Sequence, residues 1–424
     1  MKNSKIAVIG LGYVGLPLAR LFSTKYQTIG FDINEERVKM LQEGHDKTLE
    51  VDDLLLQQAI KSGLQFTSNL HDIRDYNVYI VAVPTPVDHN NYPDLTPLLD
   101  VSRMLGNVIA KGDIVIYEST VYPGVTEEEC IPLIEKVSNL VFNQDFFAGY
   151  SPERINPGDK ERPIEKIKKI TSGSTPEIAD FIDELYNSVL LNGTHKATSI
   201  RVAEAAKIIE NAQRDVNIAF MNELAKIFNA MNIDTDEVLQ AAGTKWNFIK
   251  LKPGLVGGHC ISVDPYYLIQ KAQIYGILPR VMTNARRLND GMGDYIAHQV
   301  IKLMNKKGIM VKDAKILILG ITFKENCPDI RNTKVIDLYH TLQEYTNNIT
   351  ILDNWADKEV VRKEYGLTVY NDFQDIKNEK FDVAILAVAH NEFLGIKIRD
   401  FLNQTGVLYD IKSVLPKSTV DGRL

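Results

Sequence analysis

Cysteine is scarce in this chain. Three residues in 424, Cys130, Cys260 and Cys327, stand far apart. An odd, scattered set argues against a disulfide framework and for a reducing compartment. Histidine is sparse too, eight residues with no metal-ligand spacing such as H-x-x-x-H, so no metal is expected. No uncharged apolar run reaches the ~18 residues that would cross a bilayer. Basic charge is in deficit, 48 Lys and Arg against 55 Asp and Glu, for a net charge of −7. That disfavours nucleic acid or an anionic membrane as a partner. A strand pattern begins within five residues of Met1, which leaves no room for a signal peptide, so a cytoplasmic location is expected. Hydrophobic residues at 45% and charged residues at 24% suit a folded chain rather than a disordered one. At ~150 residues per domain the length predicts two to three domains.

The order of patterns along the chain is βα, then helical, then βα again. Ile6 to Ile9 reads as a buried parallel strand, glycines follow, Leu16 to Phe22 has helical spacing, and Thr28 to Phe31 is a second strand. Val78 to Val83, Asp113 to Tyr117 and, more weakly, Phe146 to Tyr150 continue the alternation. From Thr198 to Asn232 no Pro or Gly occurs over 35 residues, and apolar residues recur at helical spacing. This predicts one helix of roughly 50 Å. Such a helix exceeds one domain's needs and suits a linker or a dimer seam. A loop-rich stretch, 243–264, precedes another helical one from about Val281 to Asn305. Strands at Lys315–Gly320, Ile349–Asp353, Asp382–Val388 and Val407–Asp410 then form a second alternating pattern. The expected fold is α/β, with two Rossmann-like doubly wound domains, 1–197 and 306–424, joined by a central helical domain, 198–305.

Three signals carry chemistry. Gly10-Leu11-Gly12-Tyr13-Val14-Gly15 follows a strand and opens a helix, as a pyrophosphate-binding turn does. Asp32 ends the next strand, 20 residues after Gly12. A carboxylate there accepts from a ribose 2′-hydroxyl and repels a 2′-phosphate, which favours NAD over NADP. Arg37 is placed to flank the adenosine. Second, Gly257-Gly258-His259-Cys260 exposes backbone before a lone cysteine, and Asp264 follows four residues later. Cysteine is intrinsically nucleophilic, but a small buried thiol is an equal reading of the local sequence. Cys130 and Cys327 read as buried thiols. Third, Lys207 and Asn211 are four apart and share one face of the long helix; taken alone, a solvated helix lysine is the commoner reading. Glu118-Ser119-Thr120, Ser151-Pro152-Glu153-Arg154, and Lys324 with Arg331 follow strands at carboxyl edges, where such folds bind ligands.

Together and in this order, these motifs resemble the UDP-glucose/GDP-mannose dehydrogenase family over essentially the whole chain. Pro253 to Ile261 with Val263-Asp264-Pro265-Tyr266-Tyr267, and Lys245-Trp246-Asn247-Phe248, look like the bacterial branch that oxidises UDP-N-acetylhexosamines for surface polysaccharides. Thr244 stands near the place where the UDP-glucose branch carries an arginine that crosses the dimer, so no cross-subunit arginine is assigned. The resemblance implies a four-electron oxidation of C6, through a Cys260 thiohemiacetal and thioester. It implies Lys207 and Asn211 at the oxyanion, Asp264 managing protons or activating water, and Thr120 and Glu153 positioning water. It places NAD on Gly10, Gly12, Tyr13, Val14, Gly15, Asp32, Arg37, Thr85, Thr120 and Arg331. It places the UDP-sugar on Glu153, Arg154, Lys207, Asn211, Gly257 and Lys324, bridging the two α/β domains. It also implies a homodimer through the long helix. UDP-glucose and UDP-N-acetylmannosamine remain alternative substrates. A two-electron NAD enzyme of hydroxy acids, which would not need Cys260, and a non-catalytic NAD-binding regulator are the competing classes.

Overall fold

The computed structural model describes residues 4–88, 90–155, 162–258 and 260–424. The chain forms two compact units, Met1–Glu210 with Tyr266–Gly276, and Asn211–Pro265 with Ile277–Leu424.

The first unit is built on strands β1 (Lys5–Ile9), β2 (Gln27–Phe31), β3 (Gln65–Thr67), β4 (Val78–Val81), β5 (Ile114–Tyr117), β6 (Phe147–Tyr150), β7 (Lys169–Gly173) and β8 (Thr194–Lys196). Among the described residues their order is β3-β2-β1-β4-β5-β6-β7-β8, parallel except where β7 runs against β6. β4 and β5 are buried along their whole length, as parallel strands covered on both faces must be. Their apolar runs gave no alternation in the sequence for that reason. Val8, Ile80 and Ile116 share one core with Leu16, Phe22 and Tyr186 from the flanking helices. The order reverses between β1 and β4, and ligands bind beyond the strand ends at such a switch point.

The second unit carries β9 (Ile316–Leu319), β10 (Ile349–Leu352), β11 (Val369–Tyr370), β12 (Phe381–Leu386), β13 (Leu402–Asp410) and β14 (Gly422–Arg423). The order is β11-β10-β9-β12-β13-β14, all parallel, with its switch between β9 and β12. Met292, Ile296 and Val300 share a core with Ile316, Ile318 and Val383, so helices from the middle of the chain pack directly on this sheet. The helical stretch expected at 281–305 is two helices, Arg280–Asp290 and Met292–Lys306, interrupted at Gly291, where helix propensity is poor.

The long helix is continuous over 31 residues, Ile200–Ala230. Val202, Ile209, Phe220 and Ile227 on it are exposed. Their spacings of seven and eleven put them on one face. Glu204, at the start of its second turn, is fully buried. It accepts hydrogen bonds from the Gly124 and Thr126 backbone N–H groups at 2.6 and 3.0 Å. These hold the wide turn Thr126–Cys130 that leads into the helix Ile131–Ser138. Burial pushes the Cys130 thiol up to about 12, which keeps it out of thiolate chemistry.

Burial also pushes the Glu204 carboxyl up to about 7, against the pull of its N–H donors. Its ordinary value is 4.5, so the folded state holds an extra proton between these limits and stability falls as pH rises through them. Glu204→Ala leaves two buried donors unpaired and is expected to cost on the order of 2 kcal/mol at pH 5. The deficit should shrink toward pH 8. Urea unfolding at both pH values measures it, and a deficit that grows with pH would contradict the assignment.

Candidate active site

The first unit supplies a nucleotide-shaped turn. A Cβ on Gly15 would stand 1.7 Å from the Gly10 carbonyl oxygen, so only glycine lets the turn close this tightly. A Cβ on Gly12 would meet nothing within 4 Å, so the crest of the turn is open. Tyr13 and Val14, beside it, are partly exposed. The Leu11 and Asn34 N–H groups each donate to one oxygen of Asp32, both at 2.9 Å. Each oxygen keeps acceptor capacity for a ribose hydroxyl. A tight turn at a helix start, an open crest and an acidic strand end fit the pyrophosphate and unphosphorylated ribose of NAD. Arg37 points its guanidinium inward. Its Nε and Nη2 donate to the Leu11 carbonyl at 3.0 and 2.9 Å, and Nη2 meets Asp46 at 2.7 Å. It braces the turn's backbone.

At the carboxyl ends of β4 and β5 two loops are stitched together. The Ser119 hydroxyl donates to the Val83 carbonyl at 2.6 Å, and the Thr85 hydroxyl donates to the Thr120 carbonyl at 2.7 Å. Glu153 follows β6. One of its oxygens accepts the Arg154 and Ile155 N–H groups, and the other lies 3.6 Å from Lys169 Nζ. Arg154 is committed to Glu210, at 2.7 and 3.2 Å, and to the Lys168 carbonyl. Its side chain therefore anchors the segment that carries Glu153.

Lys207 is buried on the long helix, one turn before Asn211. Asn211 Nδ2 donates to Asp264 Oδ2 at 2.5 Å, and Asp264 is buried. Asp264 opens the helix Asp264–Ile274, and its N–H donates to the Cys260 carbonyl at 2.8 Å. Cys260, partly exposed, thus sits one turn ahead of that helix. The loop before it is pinned at two places. Gly258 has φ +87°, and a Cβ there would stand 2.8 Å from the Phe323 ring. Asn332 Nδ2 donates to the Gly258 carbonyl at 3.2 Å. Further back, Asn222 on the long helix bonds both the N–H and the carbonyl of Gly254, at 2.8 and 3.1 Å. Asn289 braces Asn222 at 2.9 Å and itself donates to Asp215, which pairs with buried Arg286 at 2.5 Å. The sequence reading missed Asn222 and Asn289. No local pattern marked them, since each acts through a partner far along the chain.

At the carboxyl edge of the second sheet, the Ile321 and Thr322 N–H groups donate to Asp353 Oδ2 at 2.7 and 3.0 Å, and Trp355 and Ala356 donate to Oδ1. His390 Nδ1 accepts from the Asn326 N–H at 2.9 Å, which leaves Nε2–H to donate to Asp353 at 3.1 Å. Burial would raise the Asp353 carboxyl, but His390 and these N–H groups hold it below its ordinary value. This network shapes the loop that carries Lys324, partly exposed, and Arg331, which forks onto Asp329 at 2.9 and 3.1 Å.

A doubly wound sheet with this turn and this acidic strand end defines a dinucleotide-binding domain of the NAD type. Sequence models of the UDP-glucose/GDP-mannose dehydrogenase family match residues 4–190 as its NAD binding domain, 201–291 as its central domain and 317–417 as its UDP binding domain. The chain belongs to that family and is an NAD-dependent UDP-sugar dehydrogenase. It is 56% identical over 427 residues to the UDP-N-acetyl-D-glucosamine 6-dehydrogenase of Pseudomonas aeruginosa, covering 100% of both chains. It is 54% identical to that of Salmonella typhi, over 99% of this chain and 98% of the other. Among solved structures, a UDP-D-ManNAc dehydrogenase from Pyrococcus horikoshii superposes with a TM-score of 0.89 at 28% identity, over 99% and 98% of the two chains.

Gly258→Ala adds a methyl group in a left-handed conformation against a ring, and Asn222→Ala leaves two buried backbone groups of Gly254 unpaired. Each is expected to lower kcat at least tenfold while NAD binding, measured by fluorescence quenching, stays within twofold. Asn222→Ala should also cost on the order of 3 kcal/mol in urea unfolding.

Proposed function

We propose that the chain oxidises C6 of UDP-N-acetylglucosamine to the uronic acid in two successive two-electron steps. The observation that carries this reading is the end-to-end identity of 56% with an enzyme of that activity. The site's chemistry supports it. NAD, bound at the Gly10–Gly15 turn, supplies the hydride acceptor in each step. Lys207 and Asn211 stabilise the oxygen of C6 as it gains negative charge. Cys260 adds as thiolate to the aldehyde carbon, giving a thiohemiacetal. Loss of hydride from that carbon leaves a thioester, which water cleaves to carboxylate and free thiol. Asp264, bonded to Asn211, fixes that amide and takes up protons released near C6. Thr120 and Glu153 position the attacking water, with Glu153 accepting its proton. Asp32 meets the adenosine ribose, and Lys324 meets the diphosphate of the sugar nucleotide. Arg331 reaches the cofactor by exchanging its Asp329 partner.

The exposed stripe Val202, Ile209, Phe220 and Ile227 supports a homodimer that buries this face of the long helix. No described helix is long and apolar enough to cross a membrane, and a cytoplasmic location gives the enzyme access to NAD and UDP-sugar pools.

Two NADH are expected per UDP-N-acetylglucosamine consumed, with the acid identified by mass. Cys260→Ser should cut acid formation by at least a thousandfold while leaving NAD binding intact. One NADH per sugar in the wild type, or near-full turnover by Cys260→Ala, would overturn the mechanism. A panel with the UDP-N-acetyl-galactosamine, UDP-N-acetylmannosamine and UDP-glucose substrates should give kcat/KM at least tenfold lower, and a faster rate on any of them would reassign the substrate.

A further inference from the structure

The structure buries two carboxylates and one ammonium beside the segment that carries Glu153. Lys169 Nζ lies 2.5 Å from Glu118 Oε2 and 3.6 Å from Glu153 Oε2. Lys169 and Glu118 are both essentially sealed from solvent. The Tyr186 hydroxyl donates to the other oxygen of Glu118, and Lys169 Nζ stands 5.5 Å from the centre of the Tyr186 ring. The charged or titratable groups facing Glu118 are thus Lys169 from β7, Tyr186 from the helix Pro176–Asn187, and Glu153 from the segment after β6. Three ionised groups would leave one uncompensated negative charge in a buried place, which is costly unless a proton is held there.

We infer that Glu118 and Lys169 form a positioning pair that governs Glu153, with Lys169 shared between the two carboxylates and Glu118 deciding how much of its charge Glu153 receives. This rests on the role given to Glu153 above. Glu153 has a fixed orientation: the Arg154 and Ile155 N–H groups hold one oxygen, and the second faces Lys169. When Glu118 is protonated, the ammonium's charge is directed to Glu153. When Glu118 ionises, it competes for that charge at the shorter distance. Burial pushes the Glu118 carboxyl up to about 7, against the attraction of Lys169, so the exchange falls in the working pH range. Neither residue reaches the reacting carbon; both act through Glu153. The buried pair is also an expensive way to stabilise a sheet, since apolar residues of equal size would serve as well.

The test compares pH profiles of kcat for the intact enzyme with UDP-N-acetylglucosamine and NAD. Glu118→Gln fixes the pair in the neutral state that already prevails below about 7, so the acid limb should stay in place while the change of rate around pH 7 is lost. Lys169→Met leaves two carboxylates without a cation and should move the same limb to higher pH. KM for both substrates should stay within threefold, and Lys169→Arg should restore the wild-type profile. Where Lys169→Met does not fold, the charge-neutral double variant Glu118→Gln/Lys169→Met replaces it, and its limb should lie above that of Glu118→Gln alone. Equal losses at every pH, or profiles unchanged in all variants, overturn the inference. Glu153→Gln is measured alongside. If it slows turnover and lets acyl-enzyme at Cys260 accumulate by mass, while the Glu118 and Lys169 variants leave the profile fixed, this inference alone fails. If it turns over like wild type, the role of Glu153 fails and the inference falls with it.

Discussion

Each α/β unit depends on one hydrogen-bonded clamp, in which the carboxylate ending the second strand holds the backbone that leaves the first. In the first unit Asp32 accepts the Leu11 N–H; in the second, Asp353 accepts the Ile321 N–H. In each, the glycine just before donates to the residue before the aspartate, Gly10 to Phe31 and Gly320 to Leu352, both at 2.8 Å. Without this clamp the turn has no fixed shape, and the residues it presents have no fixed address. The two clamps differ in what they leave over. Asp32 is partly exposed, with one N–H on each oxygen. Asp353 is fully buried, with two N–H groups on each oxygen and His390 besides. The first can still bind a hydroxyl of a ligand and the second cannot. In the second unit the loop that follows this clamp carries Lys324 and Arg331, while the aspartate itself is spent on backbone and His390.

Much of the fold was legible because parallel strands covered on both faces announce themselves as short unbroken apolar runs. Val78–Val81 and Ile316–Leu319 are such runs, and a helix without glycine or proline announces itself equally well. The short strands β7 and β8 were not legible. Lys169, Thr171 and Ser172 in β7 are polar, and they are buried only because their partners come from elsewhere in the chain. The break at Gly291 was also missed, since the apolar periodicity runs through it.

The candidate site was legible where chemistry forces a residue type. A turn that admits no Cβ must be glycine, which makes the Gly10–Gly15 motif readable. Arg37 and Arg154 show the limit of that reasoning. Each stands where a ligand could be met, yet the structure commits its guanidinium to protein acceptors. A sequence shows where a long cation is attached but not where its head goes. Asn222, Asn289 and Lys169 were invisible for a related reason. Each acts through a partner many positions away, Gly254, Asp215 and Glu118, and no local spacing encodes such a pair.

The contact of Gly258 with Phe323, and of Gly257 with the Asn332 carbonyl, has an engineering consequence. Two segments some seventy positions apart approach so closely at these points that a Cβ on either glycine would clash with the other segment. A chimera that exchanges only one of them between relatives would mate surfaces shaped for different neighbours. Retargeting this scaffold to another hexose is best attempted by transplanting both segments together as a cassette.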